Sequence, residues 1–290
     1  MSPLDLVNLT SLMERSSGRP EMKVGLIDGP VAVNHPHLAT ENIHEVQGVG
    51  RSACSEVNSA ACMHGTFVAG ILSAKRNTEA PAICPNCTLL VRPIFAETTS
   101  TSGQPSASPD ELARAIIETV DAGARVINLS VAITQPSSDS ERGLEGALNY
   151  SAKHGVIVVA AAGNQGTVGS SAITRHPWVI PVVACDLRGR PIDYSNLGSS
   201  IGRRGLSAPG DGISSFGADR EPFTLGGTSV AAPVVTGAIA LLQSEFPGVT
   251  ATNLKLAIVQ ASAPQRASVV PPLLNAWGTY RLMLTGHAGA

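Results

Sequence analysis

Five short runs rich in Val, Ile and Leu recur along this chain with helix-like segments between them, and this alternation limits the possible folds more than any other feature. The runs cover residues 23 to 28, 89 to 95, 125 to 132, 156 to 162 and 179 to 185. Runs of this length and composition suit strands covered on both faces. The clearest helical pattern between them spans Pro109 to Ala122. There Ser108 and Glu111 stand at capping-box spacing, Leu112, Ile116 and Val120 recur at helical intervals, and Gly123 supplies a stop. Other helices are expected over about 140 to 154, after His64, from Ser229 to Phe246-Pro247, and over roughly 250 to 262. Alternating strands and helices imply an α/β fold, a mainly parallel sheet with helices on both faces. No composition break marks a linker and no repeat is evident, so residues 23 to 290 are expected to form a single domain. The strongest loop signal is the stretch rich in Ser, Thr, Gly and Pro from Thr98 to Ser108.

Composition excludes several functions. Hydrophobic residues at 43%, charged residues at 14% and 29 glycines describe a turn-rich globular protein. A net charge of -2 gives no electrostatic case for nucleic acid or an anionic membrane as partner. The longest apolar stretches, Val156 to Ala162 and Val230 to Leu242, fall short of the roughly 20 residues a bilayer span needs. The first twenty residues carry Asp5 and Glu14 and lack a basic start, so they do not read as a secretory signal. Ser2, Pro3, Asp5 and Gly18 have the pattern of one capped surface helix, giving a helical lead over residues 1 to 22 and a cytoplasmic location. Five cysteines are an odd number, which favours a reducing compartment. Cys84-Pro85-Asn86-Cys87 has the spacing of a zinc or redox pair, but no second pair follows, and both are expected to be small buried thiols. A disulfide between Cys54 and Cys62 would brace the loop before His64; the sequence leaves that open.

Three residues carry the chemistry. Asp28 ends the run Lys23-Val24-Gly25-Leu26-Ile27-Asp28, which puts a carboxylate at the C-terminal tip of a buried strand, the edge where open α/β sheets form their sites. His64 opens His64-Gly65-Thr66-Phe67-Val68-Ala69-Gly70 at the start of a helical pattern. Ser229 stands at another helix start, in Gly226-Gly227-Thr228-Ser229-Val230-Ala231-Ala232-Pro233. A serine nucleophile needs a base, the base needs an orienting group, and the oxyanion needs donors. His64 and Asp28 supply the first two. The Ser229 N–H, in a first turn without intrahelical acceptors, is a natural oxyanion donor. Asn164, in the glycine turn Ala162-Gly163-Asn164-Gln165-Gly166 after a buried strand, offers a second.

In this order the motifs resemble the subtilisin-like serine proteases, the subtilase family, over about residues 22 to 281. The Asp28 strand with His35-Pro36-His37-Leu38, the His64 helix, Ala162-Gly163-Asn164, and Gly227-Thr228-Ser229 with Pro233 match in turn. Ser207-Ala208-Pro209-Gly210 and Leu273-Leu274-Asn275-Ala276 are weaker echoes. Asp, then His, then Ser is the subtilisin order of the triad. The resemblance implies a subtilisin-like three-layer fold, Asp28, His64 and Ser229 as catalytic triad, and Asn164 as oxyanion side chain. It also implies a substrate edge built from Ser130, Val131, Ala132, Ala162, Gly163 and Gly227. Departures from the family pattern matter as well. Ser130-Val131-Ala132-Ile133 stands where the family shows Ser-Leu-Gly-Gly, which implies a narrower cleft. Phe67 replaces a second histidine, and His35 and His37 are expected to shape the turn after Asp28. The loop from Lys75 to Pro81 lacks the family's calcium pattern, so no cofactor or metal is expected. Only 27 residues precede Asp28, so the usual folding prodomain is expected to have been removed or to be dispensable.

Within the family, Leu26-Ile27-Asp28-Gly29-Pro30-Val31, Arg92-Pro93-Ile94-Phe95 and Glu111-Leu112-Ala113-Arg114-Ala115-Ile116 resemble segments of the leader-cleaving proteases of cyanobactin pathways. That likeness implies a serine endopeptidase acting through an acyl-enzyme on a peptide or protein substrate, in particular a precursor (leader) peptide. A macrocyclising relative would carry a lid insertion near the triad, yet Asp28 and His64 are 36 positions apart, which favours hydrolysis over ring closure. Two alternatives stand beside it: a catalytically silent family member that binds or scaffolds peptides, and a peptide ligase.

Overall fold

The computed structural model describes residues 2–46, 54–95, 97, 107–130, 138–262 and 268–287. Seven strands, β1 (Lys23–Asp28), β2 (Ile43–Glu45), β3 (Thr88–Pro93), β4 (Val126–Leu129), β5 (Ile157–Ala161), β6 (Val179–Cys185) and β7 (Leu206–Pro209), form one sheet. Their order is β2-β3-β1-β4-β5-β6-β7, and every neighbouring pair is parallel. All five strands expected from the apolar runs are present. The edge strands β2 and β7 are too short and too mixed in composition to stand out in the sequence. A separate antiparallel hairpin joins β8 (Ile213–Phe216) to β9 (Pro222–Leu225).

Helices cover both faces. The lead contains α1 (Pro3–Leu6) and α2 (Leu9–Arg15); then follow α3 (Ala60–Ser73), α4 (Pro109–Asp121), α5 (Ser138–Lys153), the short α6 (Ala172–Arg175) and α7 (Ser199–Arg204), α8 (Thr228–Glu245), α9 (Ala251–Ser262) and α10 (Ala276–His287). Successive strand residues point to opposite faces, and the two faces feed two cores. Ile157 and Val159 join Val24, Leu26, Val126 and Val182 in the larger core with α3 and α8. Val158 and Ala160 join Ile27, Ile127 and Leu129 in the second, closed by α4 and α5. Burial on both faces is the reason the strands read as continuous apolar runs. The result is the expected three-layer α/β fold.

The lead differs from its expected form. Ser2 and Asp5 do make the capping box, but the helix breaks after Leu6, because Asn8 adopts a left-handed conformation (φ 52°) and α2 starts anew. It packs on the domain, as expected of a surface helix: Val7, Leu9 and Leu12 are fully buried in the larger core while Asp5, Ser11 and Glu14 stay exposed, and Ala276 N–H donates to Val7 O. The Arg76 guanidinium, just beyond α3, donates to Met13 O, Ser16 O (2.7 Å) and Ile83 O (3.2 Å), tying the lead to the loop that follows the histidine helix. The two weaker sequence echoes meet here, since Ser207 and Leu273 form a bridge in which Leu274 N–H donates to Ser207 O. Cys84 and Cys87 are free and buried, as expected, and so is Cys185, whereas Cys54 and Cys62 are paired across 5.7 Å between their Cα atoms. No helix among the described residues is long and apolar enough to cross a membrane. Residues 98–106, most of the expected Ser/Thr/Pro loop, lie outside the described residues, as do Val131, Ala132 and Ile133.

Candidate active site

β1 carries Asp28 to the carboxyl edge of the sheet, where its side chain is fully buried. Asp28 Oδ1 accepts from Gly29 N–H (2.6 Å) and from His64 Nδ1 (2.7 Å). Because the carboxylate can only accept, Nδ1 holds the imidazole proton and Nε2 is left as the basic nitrogen. Burial disfavours charge on the ring, but the adjacent Asp28 carboxylate outweighs it through charge and hydrogen bonding and holds the His64 pKa above its usual 6.5. The imidazole remains 27% exposed at its rim, so substrate and solvent can reach it.

His64 comes from α3, one turn further in than the sequence suggested. The helix starts at Ser59, whose hydroxyl accepts from Cys62 N–H, so His64 sits in the second turn. Gly65 makes the approach of α3 to β1 possible: a Cβ there would lie 2.4 Å from both Gly29 O and Pro30 O. His-Gly is therefore a packing unit, with the glycine pressed on the strand end and the histidine beside the carboxylate.

Ser229 is the second residue of α8, which packs against α3 and beneath β4 to β7. Its N–H belongs to the first turn, where a helix offers no acceptor. Gly227 caps the helix at φ +130°, and a Cβ on it would fall 3.0 Å from Asn164 Nδ2, so the turn admits only glycine if the amide is to stay in place. Asn164 is itself held by Thr228: its Oδ1 accepts from Thr228 N–H (2.9 Å) and Thr228 Oγ1 (3.0 Å), and Thr228 Oγ1 accepts from Gly163 N–H (3.1 Å). With the oxygen end doubly occupied, the nitrogen end is the one left to donate. Thr228 was legible only as the middle of Gly-Thr-Ser; its grip on Asn164 has no signal in the sequence.

Of the expected substrate edge, Ala162 and Gly163 lie at the end of β5 beside Thr228, Gly227 lies beneath Asn164, and the Ser130 hydroxyl reaches Ser229 O. His35 is 2% exposed, accepts at Nδ1 from His37 N–H, and its ring lies 5.2 Å from that of Phe216. It shapes the turn after Asp28, as expected, and burial drives its pKa down to about 4. Phe67 is fully buried against Phe223. Among the described residues one group has the donors for a metal, Cys54, Cys62 and Glu97. Its two sulfurs are spent on each other, and the Glu97 carboxylate accepts from Ser55 N–H, Ser55 Oγ and Glu56 N–H.

A model of the subtilase family of peptidases matches residues 19–278. Thermitase of Thermoactinomyces vulgaris is 32% identical over 238 residues, 81% of this chain and 79% of thermitase. Among solved structures, a mutant of the protease domain of PatA superposes with a TM-score of 0.83 at 30% identity, over 93% of this chain and 97% of that one. The prenylagaramide maturation protease PagA gives 0.82 at 27% identity, over 94% and 97%. The family match takes in the strand, both helices and the amide turn that build this edge of the sheet, so the chain belongs to the subtilase family and is a serine-type endopeptidase.

Proposed function

We propose that Ser229 is the nucleophile, His64 the general base and Asp28 its orienting group, with the Ser229 N–H and Asn164 Nδ2 as oxyanion donors. His64 Nε2 takes the Ser229 proton as Oγ attacks the scissile carbonyl, and the carbonyl oxygen gathers charge between the two donors. The imidazolium then protonates the leaving amine, the peptide C–N bond breaks, and an ester on Ser229 remains. Water, deprotonated by the same nitrogen, hydrolyses that ester and restores the enzyme. The observation that carries this reading is the 2.7 Å pair between the buried Asp28 carboxylate and His64, on a helix that packs against α8, the helix whose first turn holds the half-buried Ser229. A fluorophosphonate probe tests it: labelling confined to Ser229 and lost in Ser229→Ala is expected. Folded parent protein that takes no label would instead be a peptide-binding scaffold.

The substrate we infer is a precursor peptide cut at a selected position. PatA and PagA are named as maturation proteases of patellamide and prenylagaramide, and Ser130-Val131-Ala132-Ile133 lacks the glycines that widen the family's cleft. Profiling on a denatured proteome should return a narrow set of cut sites, each product gaining one water; promiscuous cutting sinks the selectivity, and joined or cyclic products would make the enzyme a ligase. The reading needs no metal at the loop after α3, where Arg76 already serves the carbonyls of Met13, Ser16 and Ile83. Buried free thiols suit a cytoplasmic enzyme and the Cys54–Cys62 pair an oxidising compartment; trapping thiols at the moment of lysis decides between them.

A further inference from the structure

The helix that carries Ser229 also contains a proline at the position that most affects that serine. Pro233 is four residues on and has no N–H, so the Ser229 carbonyl loses the donor that helix geometry would have given it. A side chain from the sheet takes that place. Ser130, next after β4, donates from Oγ to Ser229 O across 3.4 Å. Ser130 Oγ accepts in turn from Asn128 Nδ2 at 2.8 Å, which leaves its single proton to point at α8. Asn128 is fully buried in the middle of β4, between Leu26 of β1 and Val159 of β5. Its Oδ1 accepts from Thr236 Oγ1 at 3.0 Å.

Thr236 lies seven residues beyond Ser229, two turns down the same face of α8. The polar chain thus leaves the helix at Thr236, passes through Asn128 and Ser130, and returns to the same helix at Ser229, spanning the proline between. An asparagine in the core of a parallel sheet is costly unless both ends of its amide are satisfied. Here the oxygen end is satisfied by α8 directly, at Thr236, and the nitrogen end by Ser130, whose hydroxyl reaches the same helix at Ser229.

On the reading of Ser229 as nucleophile, we propose that Asn128 and Thr236 are positioning residues for the reaction, acting through Ser130 to fix the main chain of Ser229. Peptide-plane rotation at Ser229 swings Oγ relative to His64 and moves the neighbouring amides that face the oxyanion. Misplacement of a reacting atom by about 1 Å can cost on the order of a hundredfold in rate. The carbonyl clamp is what resists that rotation where the helix's own hydrogen bond is missing.

The test compares Thr236→Val, which keeps the side-chain shape and deletes the hydroxyl, with Thr236→Ser, which keeps the hydroxyl. Well below Tm, Thr236→Val should lose about tenfold in kcat and in the rate of Ser229 labelling by fluorophosphonate, with KM nearly unchanged. Thr236→Ser should recover both. Ser130→Ala combined with Thr236→Val should be little worse than Ser130→Ala alone, because the two act along one chain. Unchanged kcat and labelling despite a lower Tm would make the clamp mere packing and overturn the proposal, as would a loss confined to KM or fully additive effects. Should Thr236→Val not fold, the half-buried Ser130→Ala carries the same comparison: a fall in kcat and labelling at constant KM supports the clamp, and a rise in KM alone overturns it. Parent enzyme that never labels at Ser229 would sink the nucleophile assignment itself, a distinct outcome.

Discussion

Helix α8 is buried along its length except at two residues, Ser229 near its first turn and Glu245 at its last, and these two ends are held by different means. Toward the Ser229 end the polar groups assigned to the reaction keep a valence in reserve. Asn164 is gripped by its oxygen and keeps its nitrogen to donate, and His64 is gripped at Nδ1 and keeps Nε2. At the Glu245 end charge is neutralised: Glu245 accepts from Arg15 Nε at 2.8 Å, and the Arg15 guanidinium lies 5.0 Å over the Tyr280 ring. An exposed pair of that kind contributes only about 0–1 kcal/mol, so burial of Val7, Leu9 and Leu12 does more to hold the lead there. On the proposed mechanism one end of the helix serves turnover and the other stability, so mutations at the two ends should separate kcat from Tm.

The largest break should come at the carboxylate. Asp28→Asn leaves the buried volume intact but removes the charge that fixes the tautomer and stabilises imidazolium, and kcat should drop by about 10⁴ with the fold retained. The same charge sets the pH profile. On the proposed mechanism His64 acts neutral, and its pKa is raised, so parent kcat/KM should climb through a midpoint above 6.5, and the residual activity of Asp28→Asn should climb at lower pH. For stability the sign is opposite. A raised histidine pKa adds stability that is fully present below the unfolded value near 6.5 and is lost as pH rises through the folded pKa. Tm should therefore sag over that window in the parent and stay flat in the variant; identical midpoints and identical Tm profiles would show that Asp28 does not govern His64. Next in size, Asn164→Ala should lose about 10² to 10³ in kcat with KM little changed. A loss carried by KM instead would make Asn164 a substrate contact and blur the contrast between the two ends.

The sequence exposed the frame of this site and hid its adjustments. The five central strands were legible because both faces of each are buried, which writes an uninterrupted Val/Ile/Leu signal into residues such as Ile157 to Ala160. Asp28, His64, Asn164 and Ser229 were legible because a glycine lies close to each for a steric reason, as Gly65 and Gly227 demonstrate. What stayed hidden depends on pairings between distant residues. Asn128 reads as an interruption in an apolar run until Thr236, 108 positions away, is seen to satisfy it. The break in the lead was hidden for another reason: Asn8 tolerates a left-handed backbone, and that choice is set by burial of Val7 and Leu9 on either side.

The smallest effect on rate, and the cleanest test of the stability end, belongs to Arg76. Its guanidinium serves three carbonyls, two from the C-terminal end of α2 in the lead and one from the loop at Ile83. Arg76→Ala would strand those carbonyls, which burial only partly exposes to water, so a loss of about 2 kcal/mol in unfolding free energy is expected. At 25 °C kcat should remain that of the parent, because nothing in the cluster reaches Asp28, His64 or Ser229. A chelator should leave the parent's Tm unmoved, since a side-chain cation already fills the role a bound metal would take among those oxygens. If chelation lowered Tm as far as the mutation does, the loop would hold a metal after all. If kcat fell with Tm, the lead would be coupled to catalysis through α8, and the two ends of the helix would have to be treated as one device.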